Sequence, residues 1–210
     1  MQNPEEKRFS KIVVIVAAII TMAALWFITT AKENKKPLAG QGYSAGKAEI
    51  GGDFVLTDQN GNQFSSAQLR GRPSLIYFGF TFCPDICPTS LQKLTAVIDT
   101  LDRYKIDVTP IFITIDPKRD TVASLKQYLA HFHKKIIGLT GSEEAIKEAA
   151  DKFKVYYAIA PGSNPKGNDY LLDHNSMVYL MDKNGEYMAH FHLDSSPDEI
   201  IDYIRLHARN

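Results

Sequence analysis

The chain has 210 residues, one uncharged apolar run near its start and a formal net charge of zero, which leaves room for one globular domain of ordinary size and excludes a multidomain machine. Hydrophobic residues at 44% with charged residues at 23% fit a chain that packs a core without cross-links and exclude a disordered one. With a pI near 7.0 and no local basic patch, the sequence carries no footprint for a nucleic-acid backbone, so nucleic acid is not an expected partner.

Residues 1–11 form a short polar tail, and residues 12–31 then read IVVIVAAIITMAALWFITTA without a charge. At about 1.5 Å per residue such a run crosses a hydrocarbon core of about 30 Å, so a single transmembrane anchor in contact with the lipid bilayer is expected here. A buried core helix would be shorter and would show a polar stripe. A removable signal peptide would have a shorter apolar run and a small-x-small cleavage site.

Counting positive charges does not choose the orientation, because Lys7, Arg8 and Lys11 precede the run while Lys32, Lys35, Lys36 and Lys47 follow it. A short leader ending in one signal anchor ordinarily leaves the large domain on the far side. This predicts a single-pass protein of the bacterial inner membrane with its soluble part in the oxidising periplasm. Glu5 and Glu6 argue against a mitochondrial presequence. Residues 32–51, with Pro37 and glycines at 40, 42, 46 and 51, read as a flexible linker to a domain over 52–210.

In that domain Asn60-Gly61, flanked by apolar stretches, predicts an N-terminal hairpin. Ser74 to Phe80 reads as a buried strand that leads directly into the two cysteines, and from Thr89 onward Leu91, Leu94, Val97, Ile98 and Leu101 recur at helical spacing. Val108 to Ile115 reads as a second core strand. Thr121 to Phe132 reads as a helix capped by Asp120, and Ile136 to Leu139 as a third strand. Ser142, with Glu143 and Glu144 in the first turn, predicts a helix ending near Phe153. Val155 to Ala160 can add a strand before a Pro- and Gly-rich loop, expected to be mobile, over 161–167. Met177 to Met181 and Glu186 to Phe191 flank Lys183-Asn184-Gly185 as a hairpin, and Ser196-Pro197-Asp198-Glu199 opens a last helix. This order predicts a mostly parallel α/β sheet with helices on both faces, an antiparallel edge and an added N-terminal β-hairpin. It resembles a thioredoxin fold.

The only two cysteines, Cys83 and Cys87, stand four apart in Cys83-Pro84-Asp85-Ile86-Cys87-Pro88, where a strand hands over to a helix. Residues at that spacing share one face, with Cβ atoms about 5 to 6 Å apart. A helix N-terminus also favours the thiolate that ligates metals and attacks disulfides. A metal would need a third donor, and imidazole with thiolate suits copper or zinc.

Six histidines compete for that place. His131 and His133, two apart on a helix, point to different faces and read as solvated surface residues. His190 and His192, two apart on a strand, share a face as a chelate or as plain surface groups. His207 reads as a cation in the last helical turn. His174 precedes the strand that lies beside the cysteine-bearing one, at the sheet edge where ligands of open α/β sheets gather, and is the expected third ligand.

Three segments carry a wider resemblance. Phe78-Gly-Phe-Thr-Phe-Cys83-Pro-Asp-Ile-Cys87-Pro, Ile115-Asp116-Pro-Lys-Arg119-Asp120 and Tyr170-Leu-Leu-Asp173-His174 together resemble the Sco/SenC family of membrane-anchored copper proteins. The resemblance implies a copper metallochaperone that assists assembly of cytochrome c oxidase, with copper held by Cys83, Cys87 and His174. It also implies delivery to the dinuclear copper centre of oxidase subunit II, after loading by an upstream donor.

Two sulfurs and one nitrogen suit Cu(I) in three-coordination, with Cu(II) as the second state, whereas structural zinc would want a fourth protein ligand. A redox disulfide between Cys83 and Cys87 would remove both sulfur donors, so loading is expected to depend on redox state. Asp116, Arg119 and Asp120 read as a turn and helix cap at least as well as a docking element. The rival function is a thiol-disulfide oxidoreductase, with Cys83 as nucleophile and Cys87 as resolving thiol, that reduces the cysteines of the copper acceptor. On the chaperone reading the protein is not an enzyme.

Overall fold

Ser74–Gly79 is buried at every position, and its Ser-Leu-Ile-Tyr-Phe-Gly run of β-branched and aromatic side chains forms a strand covered on both faces. In this computed structural model the described residues are 21–22, 49–164, 167, 169–192 and 194–207. The chain divides into two units, Met1–Lys47 and Ala48–Asn210, and the fold below is that of the second. The expected anchor over 12–31 lies outside the described residues save Thr21 and Met22, and among the described residues no helix is long and apolar enough to cross a membrane. The expected linker is likewise undescribed up to residue 48. Its last residues, Ile50 and Gly51, already hold to the domain, Ile50 packing on the core and Gly51 N–H donating to Lys152 O at 2.9 Å.

The strands are β1 Val55–Asp58, β2 Gln63–Ser65, β3 Ser74–Gly79, β4 Thr109–Thr114, β5 Ile137–Thr140, β6 Tyr157–Ile159, β7 Leu172–His174, β8 Met177–Met181 and β9 Tyr187–His192. The helices are α1 Ile86–Arg103, α2 Val122–Leu129, α3 Glu143–Lys152 and α4 Pro197–His207. Seven strands form one sheet in the order β2-β1-β5-β4-β3-β8-β9, and β6 pairs with β7 in a separate two-stranded ribbon.

Of the six pairings in the large sheet, two are parallel and four antiparallel. The expectation of a mostly parallel sheet is corrected on this point. The N-terminal hairpin docks antiparallel on β5 and the C-terminal hairpin antiparallel on β3, so only the β3, β4, β5 centre keeps the βαβ crossover.

Register decides which helix covers which face. Tyr77 lies level with Phe112 and Val178, and Val178 with Phe191, so these residues share one face. That face meets Cys87 of α1, Tyr128 of α2 and Tyr203 of α4. The opposite face, with Phe78 and Tyr179, packs on Phe153 at the end of α3.

Several local readings hold. In the first hairpin Gly61 supplies a positive φ of 85°, while Asp58 Oδ1 accepts from Asn60 N–H and Asn62 N–H at 2.8 Å each. Ser142 Oγ caps α3 by accepting from Ala145 N–H, and Ser196 Oγ caps α4 by accepting from Glu199 N–H. Others are corrected. The cap of α2 is Thr121, whose Oγ1 accepts from Ser124 N–H, because Asp120 is drawn into the interior by stronger partners. That helix ends at Leu129, so His131 and His133 lie beyond it. His133 is 12% exposed and sits 3.5 Å from Asp99 and 3.9 Å from Asp102, not in bulk solvent. Part of the loop over 161–167 falls outside the described residues.

Candidate functional site

β3 ends at Gly79, and the chain turns through Phe80, Thr81 and Phe82 to Cys83 before α1 begins at Ile86. The helix starts earlier than its apolar repeat suggests, which puts Cys87 in the first turn and Cys83 just ahead of it. Asp85 stands at the N-cap with no capping bond from its side chain. Instead Cys83 Sγ accepts from Cys87 N–H at 3.4 Å, so a sulfur does the work usually left to a capping oxygen.

The two sulfurs therefore differ. The Cys83 thiol is lowered to about 6, first by the hydrogen bond from the Cys87 side chain and then by backbone N–H groups of Cys87, Asp85 and Ile86. It is half-buried, with the exposed residues Phe82 and Ile86 close to it in the chain. Cys87 is fully buried, and its thiol is pushed up by the neighbouring Cys83 sulfur and by burial. Near neutral pH this pair holds one thiolate and one thiol. Tyr77 Oη donates to Cys87 Sγ at 3.6 Å and fixes its position from below.

His174 arrives from the other side, at the end of β7. Asn175 pins that end. Its Oδ1 accepts from Tyr156 N–H at 2.8 Å and its Nδ2 donates to Lys154 O at 3.2 Å. The imidazole rests among Tyr77 and Phe80, with ring centroids 6.4 and 6.2 Å away, and burial lowers its pKa, so it is neutral with a lone pair to offer.

His174 Nε2 lies 3.8 Å from Cys87 Sγ. An ion about 2.3 Å from sulfur and about 2.0 Å from nitrogen spans roughly that separation when the angle at the metal is about 120°. The donor chemistry and this spacing fit a thiophilic ion in trigonal coordination. Cys83 joins through its contact with Cys87. Among the described residues no group of three or more His, Cys, Asp and Glu is drawn together as a ready metal cage. The site thus pairs its donors through Cys87, and full convergence requires Cys83 to turn toward His174.

The remaining histidines stay apart from this trio. His190 and His192 sit together on β9 on the sheet face opposite Cys87, and His207 Nδ1 lies 2.9 Å from Tyr203 O on α4.

Sequence reasoning missed a buried strut beneath the site. Asp120, with no exposed surface, accepts from Thr81 N–H at 3.0 Å, Thr81 Oγ1 at 2.5 Å and Thr114 Oγ1 at 2.6 Å. It thereby ties the loop two residues before Cys83 to the end of β4. Arg119 pairs with Asp116 at 2.5 Å and stacks its guanidinium 3.7 Å from the Tyr170 ring and 4.5 Å from the Phe82 ring. Tyr170 Oη donates to Asp116 Oδ1 at 2.6 Å. The strut joins the residue before Cys83 to the segment carrying His174. The signal was present as Asp116, Arg119 and Asp120 clustered just after a mostly apolar strand, but a cap and a turn explained the same letters.

A sheet with a dithiol just beyond the outgoing end of an inner parallel strand, β3, and an imidazole brought over from another segment defines a class: thioredoxin-like domains with a Cys, Cys, His site. The SCO1/SenC family model matches residues 42–209, and the chain belongs to that family. It is 53% identical to a SCO2-like protein of Rickettsia conorii over 93% of this chain and 95% of that one. It is 43% identical, with a TM-score of 0.71, to the crystal structure of yeast Sco1 with copper bound, covering 77% of this chain and 90% of the other. A structure of BsSco, described as a member of the Sco family of cytochrome c oxidase assembly proteins with a disulfide switch, is 29% identical at a TM-score of 0.60, over 75% and 93% of the two chains. These similarities support the mixed α/β thioredoxin-like fold.

Proposed function

We propose that this chain is a copper metallochaperone that holds Cu(I) through Cys83, Cys87 and His174 and assists assembly of cytochrome c oxidase. The observation that carries the reading is the 3.8 Å approach of His174 Nε2 to Cys87 Sγ, across 87 positions of sequence. Copper arrives as cargo. The Cys83 thiolate meets it first at the surface, and Cys87 gives up its proton as its sulfur joins, so loading releases about one proton near neutral pH. Neutral His174 completes a set whose softness prefers copper to zinc. Phe82 and Ile86, 48% and 46% exposed beside Cys83, supply an apolar rim for the acceptor, which we assign as the dinuclear copper centre of oxidase subunit II. Residues 12–31 anchor the protein in the inner membrane, with the domain in the periplasm.

One observation favours a second reading. A half-buried low-pKa cysteine beside a buried high-pKa one is also the arrangement of a dithiol reductant. Cys83 would attack an acceptor disulfide, releasing one acceptor thiol into solution and forming a mixed disulfide. Cys87 would then displace the second acceptor thiol, leaving a Cys83 to Cys87 disulfide. Titrating the reduced full chain with Cu(I), beside His174→Ala, separates the two. The chaperone reading expects one ion per chain, at least tenfold weaker retention in the variant, and unimpaired disulfide formation. Unchanged retention in the variant, together with rapid reduction of protein disulfides, would establish the reductant instead.

A further inference from the structure

β9 is the last strand of the sheet, and among the described residues no strand pairs with its other edge. His190 and His192 project from the same face of this strand and are both exposed. Their ring centroids are 5.4 Å apart. Two imidazoles bound to one ion at about 2.0 Å, with each nitrogen about 1.1 Å from its ring centre, place those centres about 5 to 6 Å apart. The observed spacing falls in that interval.

The neighbours are arranged as a metal-binding imidazole requires. His190 Nδ1 meets Tyr187 Oη at 2.5 Å. With Nδ1–H donating to the phenol oxygen, Nε2 keeps its lone pair and the ring orientation is set, as outer hydrogen bonds do for metal-bound histidines. Met177 is the cross-strand partner of His192, and directly opposed residues on antiparallel strands bring their Cβ atoms to about 4.5 to 5.5 Å on a common face. The Met177 side chain is half-buried against the core on that face, and its flexible stem lets the thioether turn to the second imidazole.

We infer that His190, His192 and Met177 form a second copper site, built from two nitrogens and a thioether. It is separate from Cys83, Cys87 and His174 and lies on the opposite face of the sheet. Among the described residues no third His, Cys, Asp or Glu joins the pair, so the soft donor is the one that sets its preference. Imidazole serves both copper states, while the thioether favours copper over zinc. The inference does not depend on which of the two functions above is correct, because it uses none of the site residues.

The test uses the untagged full chain in detergent with Cys83→Ser and Cys87→Ser, which removes both thiols. Cu(II) is added and followed by electron paramagnetic resonance. The expected result is one tightly held ion with hyperfine splitting from two nitrogens, lost on adding His190→Ala or His192→Ala with at least a tenfold fall in affinity. Met177→Leu is expected to weaken Cu(I) several-fold more than Cu(II). Persistence of the two-nitrogen signal without His190 and His192, its loss on His174→Ala instead, or no binding by the dithiol-free chain would each overturn the inference. Circular dichroism of every variant shows that the fold is retained. Where a histidine-to-alanine variant fails that check, His190→Gln or His192→Gln takes its place.

Discussion

Replacing Asp120 by alanine removes the acceptor for three hydrogen bonds in a place with no exposed surface. Hydrogen bonds to a charged acceptor contribute about 1.5 to 3 kcal/mol each, but part of that sum is returned because the carboxylate no longer has to be desolvated. Burial is the larger influence on this group, since it raises the carboxyl pKa in spite of the three bonds. A net loss of about 3 to 5 kcal/mol follows. At about 2 to 4 °C per kcal/mol for a domain of this size, that is a fall of roughly 6 to 20 °C in Tm.

Asp120→Asn separates charge from connectivity. Turned so that its oxygen accepts from Thr81 N–H and Thr114 Oγ1, the amide can donate to Thr81 Oγ1 and keep every link, so a loss of about 1 kcal/mol is expected. The raised carboxyl pKa means that the folded state favours the protonated form. The stabilisation is full below the ordinary value of 3.8 and fades as pH rises through the folded pKa, so the wild type loses ground to the asparagine variant over that window. Because Thr81 stands two residues before Cys83, the alanine variant should also raise the Cys83 thiol toward 9.0. Chemical denaturation and the pH profile of iodoacetamide reactivity read the two effects. An alanine variant within about 1 kcal/mol of wild type, or an asparagine variant as damaged as the alanine, would refute the strut.

Three further outcomes are expected. Thiolate absorbance of the reduced protein should show a first transition near pH 6 from Cys83 and none from Cys87 until well above 9. The depressed Cys83 pKa then adds stability that is complete above 9 and lost as pH falls toward 6, while the raised Cys87 pKa takes stability away above 9. Denaturation midpoints of the reduced protein should therefore climb from pH 6 to about 9 more than those of Cys83→Ser, and parallel curves would contradict this. Gly79→Ala would place a Cβ 2.9 Å from Phe112 Cε2 and 3.0 Å from Cys87 Sγ. We expect a loss of about 1 to 3 kcal/mol and weaker copper retention through displacement of the sulfur. A fully stable variant with wild-type retention would show that the pocket yields.

Much of the fold could be read from local pattern. β3 and β4 announce themselves by the apolar stretches at their centres, α3 and α4 by Ser142 and Ser196 at their starts, and the first hairpin by Asn60-Gly61. The errors share one cause. The short β7 strand carries Leu172-Asp173-His174, a mixed triplet with no periodicity of its own, and it exists because β6 is there to pair with it. The two end hairpins could equally have stood apart. Their antiparallel docking on β5 and β3 depends on which buried faces were left to cover.

The same division runs through the candidate site. Chain order alone placed two cysteines four residues apart where a strand hands over to a helix; Cys83 lies ahead of α1, and the bond from Cys87 N–H to its sulfur brings the pair together. Folding decided that one sulfur is buried and the other half-buried, because only packing determines which side of α1 meets Tyr77. It also decided that Asp120 faces inward rather than capping α2, since two threonines from separate segments offer it more than one backbone N–H could. Spacing along the chain specifies donors and local geometry; burial, charge state and the meeting of Cys87 with His174 are long-range quantities that no stretch of sequence contains until the sheet has closed.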